Sequence, residues 1–522
     1  MIFPLSKKKS VLIILSLLSI IYIQSNFYQL IFLDDDTIVS NKFTETSLNE
    51  KISSSFTSNF LNGHYYRPIT SLTFVADSIL GEQSYFLYHL TNFLIHLFTS
   101  IVIFLIIEAL GYSLITSLIA ALLFALNPLH INAVGWIAGR GDLLTAFFSV
   151  SALLIFLKFI KQNKTILLLP ISLLLFFALL SKEVALLVPF LFLVIYFIEK
   201  KELSLNKNSI GLLLMIVAVL GSYYLLRVKF LSGVHIDKFS FTTYYRNILV
   251  LPETISKFFI PIGIKALPSI EVFTSISGII IFIILLLIPF KLDSINKYRY
   301  YFGLLWFIIL LIPGMVFRTM EQDGFYYWDC RSYLPSVGLI LMAAEIIKVI
   351  NLQKCKKICF SVIVVYLLIL STFTFIKVKM YENPIRYWNA VKADYQTRYL
   401  PYLGLYNYYN HSKSLINAEI QLLGTLKISP ADFTIRKMLL DFYLLNNEKR
   451  KALTLAEETL EKDMLDSDYF IENFVSLCIE LNQSNKINDL LIKYSGDSIK
   501  IKEISKILNE YTSIKKDGET SK

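Results

Sequence analysis

The sequence predicts an all-α protein: a polytopic membrane helical bundle followed by a polar domain of paired helices. Three observations carry this expectation. Of 522 residues, 55% are hydrophobic and 17% charged, and the mean hydropathy is +0.58, outside the composition of a soluble globular chain. The apolar residues fall into blocks of roughly 17–23, long enough to cross a hydrocarbon core about 30 Å thick. From about Lys377 the chain turns polar while keeping a helical period.

The blocks number eleven, at about 11–33, 86–108, 113–128, 142–160, 165–181, 183–199, 209–229, 272–290, 301–317, 333–350 and 358–376. Lys7, Lys8 and Lys9 precede the first. That block is too long for a signal peptide and has no small-residue cleavage site after it, so a retained helix is expected. If these lysines are cytoplasmic, alternate connections should be basic. "KFIKQNK", "EKKELSLNKNS", "KLDSINKYRY" and "KVINLQKCKK" satisfy this. The intervening loops, 34–85, 129–141, 230–271 and 318–332, would face outside, as would the C-terminal domain. The N-terminus would be cytoplasmic, and a prokaryotic plasma membrane fits the Lys/Ile/Asn-rich composition. The net charge of +10 then reports topology. No basic stripe interleaved with aromatics occurs in a polar segment, which excludes a nucleic-acid surface.

Within the polar region, Leu405, Tyr409, Ala418 and Pro430 are followed 34 residues later by Leu439, Tyr443 and Ala452. This is a tetratricopeptide (TPR) spacing, in which small alanines let paired helices approach. Met464 replaces the proline, and a third unit near 467–500 keeps Leu477 but has Lys486 at the alanine position. The expected organisation is a membrane domain over 1–376, a linker over 377–398, a TPR-like helical domain over 399–512 and a disordered tail over 513–522. Such a domain binds peptides or proteins. Of four cysteines, Cys355 and Cys359 form C-x3-C without partner histidines, so buried thiols are expected rather than a metal site or disulfide framework.

The chemistry centres on "IFLDDDTIVSNKF". Asp34, Asp35 and Asp36 end the first apolar block and open a loop that is long for a helical bundle. Three acids at a helix C-terminus oppose the macrodipole and make poor caps. At the water–lipid boundary, a partly desolvated carboxylate can act as a general base.

The stretches "DDDTIVSN", "YYRPITSLTFVAD", "YHLTNFLIHL", "FALNPLHINAVGWIAGRGDLL", "LLSKEVALLVP" and "RSYLPSVGL", followed by TPR-like units, occur in one order. In this the chain resembles the GT-C superfamily of polyprenyl-phosphate-dependent glycosyltransferases, and within it prokaryotic relatives of the transmembrane and TPR-containing O-mannosyltransferases. The resemblance implies a GT-C-like bundle of about eleven transmembrane helices. It also implies inverting transfer of a sugar from a polyprenyl-phosphate carrier to an acceptor hydroxyl on the outer face. The first-loop acid it assigns as base falls on Asp34–Asp36, with Asp35 favoured.

Such a reaction needs cations for the departing lipid phosphate. The outside-facing candidates are Arg67, His89, Lys182, Arg140 and Arg331, together with Arg318. His130, Trp136, Glu183 and Tyr333 are candidates to line the substrate cavity. His96, two turns beyond His89, reads as an interhelical hydrogen-bonder. No cofactor is required, although the aspartates could hold a hard divalent cation, Mg or Mn, through oxygen ligands. Expected partners are the lipid bilayer, the lipid-linked donor and a protein or glycan acceptor. Rival classes are a transporter or flippase, an envelope-glycan polymerase or ligase, and a TPR scaffold. A transporter predicts mid-helix charges, a polymerase or ligase a late outside loop, and a scaffold a single anchoring helix.

Overall fold

A computed structural model describes residues 5–40, 47–60, 65–81, 84–200, 207–231, 247–315, 327–352, 356–395, 398–462, 468–496, 500–502 and 504–509. The chain divides into two compact units, Met1–Asp394 and Tyr395–Lys522.

In the first unit each apolar block carries a helix: α1 (Lys7–Tyr22), α5 (Tyr85–Ala109), α6 (Leu114–Ala125), α8 (Arg140–Gln162), α9 (Leu168–Ser181), α10 (Val188–Lys200), α11 (Lys207–Phe230), α13 (Val272–Lys291), α14 (Lys297–Met315), α15 (Tyr333–Leu352) and α16 (Lys356–Lys377). The first helical stretch stops at Phe27 instead of reaching the aspartates. Asp35 and Asp36 open a separate short helix, so they sit at a helix N-terminus, where the dipole favours them, rather than at the expected C-terminus. The long loop after α1 carries α2 (Asp35–Ser40), α3 (Leu48–Thr57) and α4 (Pro68–Gly81), while α7 (Ile131–Gly135) and α12 (Val250–Phe259) are short inserts. Eight helices among the described residues are long and apolar enough to cross a membrane, or nine if one bent pair is a single span. The bend, 44°, falls between α6 and the turn that follows it. Pro128 has no N–H to continue the ladder and disfavours helix at Asn127, whose side chain instead accepts from Leu129 N at 3.1 Å. With 14 and 13 residues, α9 and α10 are shorter than a full span.

Polar contacts define the two ends of this bundle. At one end Lys7 pairs with Glu108 at 2.7 Å, and Arg299 holds Glu199 at 2.8 Å and Leu110 O at 2.8 Å. Tyr112 and Asn296 N both bond the buried Glu345. These residues join the start of α1, α6 and α14 to the finish of α5, α10 and α15, so the basic connections gather there. The opposite end holds the acid-bearing loop, the 127–140 segment and the Ser181–Leu187 break.

Close approach of α14 and α15 depends on two glycines. A Cβ on Gly338 would sit 2.2 Å from Gly303 O, and one on Gly303 would sit 2.6 Å from Gly338 O. Small residues at such crossings allow backbone contact that packing in lipid requires.

The stretch 377–398, expected to be a linker, is structured as far as Asp394. A turn at Val378–Tyr381 leads into α17 (Pro384–Asp394), where Trp388 Nε1 donates to Ile31 O at 2.7 Å and Tyr381 accepts from Asn132 at 2.7 Å. These aromatics are buried against the first unit. The contact boundary falls between Asp394 and Tyr395.

Among the described residues the second unit contains three successive helix pairs: α18 (Leu400–His411) with α19 (Leu415–Ile428), α20 (Phe433–Leu445) with α21 (Lys449–Glu461), and α22 (Asp468–Glu480) with α23 (Ser484–Lys493). Ala418, Ala452, Leu439 and Leu477 are buried in its core. The turns within pairs repeat in conformation as well as sequence. Lys413, Asn447 and Asn482 all take positive φ, at 55°, 58° and 55°. The following N–H closes back on Tyr409, Tyr443 and Cys478 carbonyls in turn, a left-handed helix termination that asparagine tolerates. Arg318, Cys355, Met464 and the 513–522 tail lie outside the described residues.

Gly338→Ala should lower the protein's melting temperature in detergent, because its methyl must push α14 from α15 at a cost of about 1–3 kcal/mol. An unchanged transition would show that the helices separate freely.

Candidate functional site

The three aspartates have different surroundings. Asp35 is buried, and its carboxylate accepts three backbone N–H groups: Ile31 at 2.6 Å, and Leu33 and Asp36 at 3.1 Å. Two of these donors flank Phe32, whose φ of 58° is unusual for a bulky side chain. Asp35 therefore clamps the chain in a sharp left-handed turn. Asp34, next in that turn, is exposed. Its carboxyl is raised to about 7, first by the poorly hydrated surroundings and then by the Asp35 and Asp36 charges. Asp35 is raised to about 6 by burial, with its backbone bonds acting in the opposite direction.

The loop rests on an aromatic shelf. Leu30, Ile38, Phe60, Phe74, Tyr88 and Ile137 form one buried cluster, with Phe32 packed against it. Arg140 lies beneath, its guanidinium 4.2 Å from the Phe74 ring. Arg140 is fully buried. It pairs with Asp77 at 2.5 Å, donates to Asn92 Oδ1 at 2.8 Å and to Tyr88 O at 2.7 Å. Asn92 in turn donates to Trp136 O at 3.1 Å. Arg140, expected at the donor phosphate, is instead committed to joining α4, α5 and α8.

Two other expected cations remain partly accessible. Arg67 meets Glu183 through Nε at 3.1 Å and Nη2 at 2.8 Å, with side-chain exposures of 13% and 21%. Lys182 meets Asp142 at 2.6 Å, with 17% and 8%. Burial alone would lower the Arg67 pKa; the Glu183 charge and hydrogen bonds outweigh it and leave it raised. Thr70 Oγ1 donates to Ser181 O at 3.0 Å, pinning α4 beside the Lys182–Glu183 break. Because the four charges alternate, they balance one another, and an incoming phosphate would have to compete with Asp142 and Glu183. Arg331 donates to Gly314 O at 3.1 Å.

The histidines and Tyr333 belong to the packed interior. His96 bonds Tyr333 Oη at 2.6 Å and Ala125 O at 3.0 Å. His130 bonds Phe124 O at 2.9 Å and Ser336 at 3.0 Å. His89 is buried against the Tyr28 ring, 6.2 Å between centroids. Trp136 is covered by Trp328, stacked at 5.0 Å. His96, His130 and Tyr333 knit helices together through these bonds, whereas His89 and Trp136 are buried against aromatic rings.

Among the described residues no group of three His, Cys, Asp or Glu side chains is arranged to hold a metal ion. Asp35, spent on backbone amides, does not suit the oxygen-ligand site considered for Mg or Mn.

The sequence did not point to a second polar cluster, in α12 and the turn before α15. Lys257 lies 3.3 Å from Asp329 and 3.6 Å from Glu253. It went unnoticed because α12 falls between apolar blocks and carries no motif.

Fold and site together define a multi-pass helical membrane protein with a clamped acidic turn at one bundle end. No family model matches the chain. Among curated proteins it is similar to "Protein O-mannosyl-transferase F38B6.6" of Caenorhabditis elegans, 25% identical over 398 residues, covering 70% of this chain and 55% of that protein. It is also similar to "Protein O-mannosyl-transferase TMTC3" of Mus musculus, 35% identical over 174 residues, 32% of this chain and 19% of that protein. The chain thus spans about half the length of the first relative and less of the second. Among solved structures it is similar to ArnT from Cupriavidus metallidurans, at 13% identity and a TM-score of 0.43, covering 86% of this chain and 79% of that one. A second structure of that protein is bound to undecaprenyl phosphate.

Arg140→Ala would leave the buried Asp77 carboxylate without its cation and should cost roughly 3–5 kcal/mol. Thermal unfolding in detergent would read this, and Asp77→Asn combined with Arg140→Gln should recover part of it. Equal melting temperatures for wild type and Arg140→Ala would refute the structural role.

Proposed function

We propose that this chain is a membrane glycosyltransferase that moves a sugar from a polyprenyl-phosphate carrier to an acceptor hydroxyl on the outer face, with inversion. The observation that carries this is the exposed Asp34, presented by the Asp35 clamp at the bundle end that also bears Arg67 and Lys182. Similarity to proteins named O-mannosyl-transferases supports the reaction class and favours a mannose-like hexose.

In this proposal the acceptor oxygen attacks the anomeric carbon as the bond from that carbon to the phosphate oxygen breaks. The acceptor proton passes to Asp34, and the carrier phosphate leaves with the electron pair. Arg67 and Lys182 receive the phosphate by loosening from Glu183 and Asp142, and Arg331 adds a third positive charge. A base that titrates near the working pH is well matched to this proton transfer. Asp35 serves as a positioning residue, and no step needs a metal. The N-terminus is cytoplasmic, and the TPR-like unit lies outside and recruits a protein acceptor.

Asp34→Asn should reduce transfer by about 10²–10⁴-fold while donor binding persists. Only the carboxylate form accepts a proton, so kcat/KM should rise as pH passes through about 7 and level off above it. Asp36→Asn removes a like charge that raises Asp34, so this limb should move to lower pH. Transfer assays on the full-length protein in lipid discs measure both. Wild-type rates in Asp34→Asn would refute the assignment.

A further inference from the structure

The Lys257 cluster has a composition that structural packing alone does not explain. Glu253, Lys257, Tyr327 and Asp329 are all more than nine-tenths buried, and they line one narrow cleft together with Pro268–Ile270. Among the described residues, three of their oxygens, Glu253 Oε2, Asp329 Oδ2 and Tyr327 Oη, find no hydrogen-bond partner. Leaving a buried polar atom unsatisfied is costly, so three beside one cleft mark a place where something else bonds. Among the described residues Lys257 makes one long hydrogen bond, 3.3 Å to Asp329, beside its 3.6 Å ion pair with Glu253, and an ammonium has three donors. The other Glu253 oxygen is fully used, accepting from Glu271 N at 2.6 Å, Ser275 at 3.1 Å and Thr274. Glu253 is therefore held rigidly, with Oε2 engaged only by the Lys257 charge at 3.6 Å.

The charge decides the ligand class. Two carboxylates and one ammonium leave a net negative cluster that repels phosphates and uronates. Free acceptors call for hydroxyl donors, and the spare ammonium donors call for a hydroxyl or ring oxygen. A neutral polyol edge supplies both. The cleft is also joined to the acidic turn. Tyr387 donates to Ala266 O at 3.3 Å, two residues before Pro268, and its hydroxyl is raised by burial first, then by Tyr381, and after that by the Asp35 and Asp34 charges. From the other side, Asn132 accepts from Cys330 N at 3.1 Å and donates to Tyr381 at 2.7 Å, whose ring meets Tyr387 at 5.3 Å.

We propose that Glu253, Lys257, Tyr327 and Asp329 bind the hydroxyl edge of the sugar unit carried by the lipid donor and thereby set which sugar is accepted. This rests on the glycosyl-transfer function proposed above, and it separates the labour: Arg67 and Lys182 hold the carrier phosphate, and the Lys257 cluster reads the sugar.

The test is binding of dodecaprenyl phosphate, bare and bearing mannose, glucose or glucuronate, to the full-length protein in lipid discs. Wild type should bind a neutral glycosylated carrier about tenfold or more tighter than the bare one, as expected for one or two charge-assisted hydrogen bonds, and the glucuronyl carrier no tighter. Tyr327→Phe, which keeps every charge, and Asp329→Asn should shrink that ratio to about threefold or less while bare-carrier affinity stays within about twofold. An unchanged ratio in both variants, a parallel loss of bare-carrier affinity, no wild-type preference for either neutral sugar, or preference for the glucuronyl carrier would overturn the proposal. Asp34→Asn keeps the two questions apart. It should retain the binding ratio while losing transfer, so wild-type transfer by that variant would count against the reaction and not against the sugar site.

Discussion

The acidic end of the bundle depends on the buried Arg140 and its ion pair with Asp77. One guanidinium holds α4 through Asp77, α5 through Asn92 and the Tyr88 carbonyl, and the start of α8 through its own backbone. Its flat face supports Phe74, and Phe74 belongs to the cluster on which Leu30, Phe32 and Ile38 rest. A buried charge is tolerable only when paired and hydrogen-bonded, and removing one partner is far worse than never having the pair. The acid-bearing turn is thus built on an electrostatic lock that cannot be relaxed piecemeal.

Above that lock, three adjacent carboxylates take distinct parts because the backbone gives them distinct environments. Asp35 satisfies amide groups that the tight Phe32 turn would otherwise strand. Asp34 faces outward, with a pKa raised first by its poorly hydrated surroundings and then by the Asp35 and Asp36 charges. The nearby cations are neutralised by Glu183 and Asp142, which stabilises a partly desolvated end of the bundle. Under the proposed function, carrier binding would exchange one set of ion pairs for another rather than fill a ready-made positive hole.

The apolar blocks were legible because a hydrocarbon solvent forces backbone hydrogen bonds inward and leaves helices as the solution. The bend at Asn127-Pro128 and the shortness of α9 and α10 were not, since block length alone does not report a broken ladder. The acidic turn stood out as charge at a block edge, but which aspartate would turn inward depends on Ile31 and Leu33 amides that sequence cannot orient. Arg140, His89, His130, Trp136 and Tyr333 are chemically competent residue types. Their burial and interhelical partners are tertiary facts, so sequence placed them on a candidate list without revealing their packing. Conversely, Glu253 and Lys257 lie in a short helix between blocks, and their link to Asp329 exists only once the chain folds. The 34-residue spacing of the polar domain was readable from alanines and tyrosines. Its third pair, weak in sequence at Lys486, still forms because α22 and α23 bury Phe470, Phe474 and Ile487.

The proposed function places the lipid phosphate at the acidic end of the bundle, although another accessible ion pair, Arg299 with Glu199, occupies the other end. Photo-crosslinking of the full-length protein in lipid discs with a short-chain polyprenyl phosphate carrying a diazirine next to the phosphate tests it directly. Labelled peptides should contain Arg67, Lys182 or Arg331. Labelling concentrated instead on peptides containing Glu199, Arg299 or Glu345 would contradict the account.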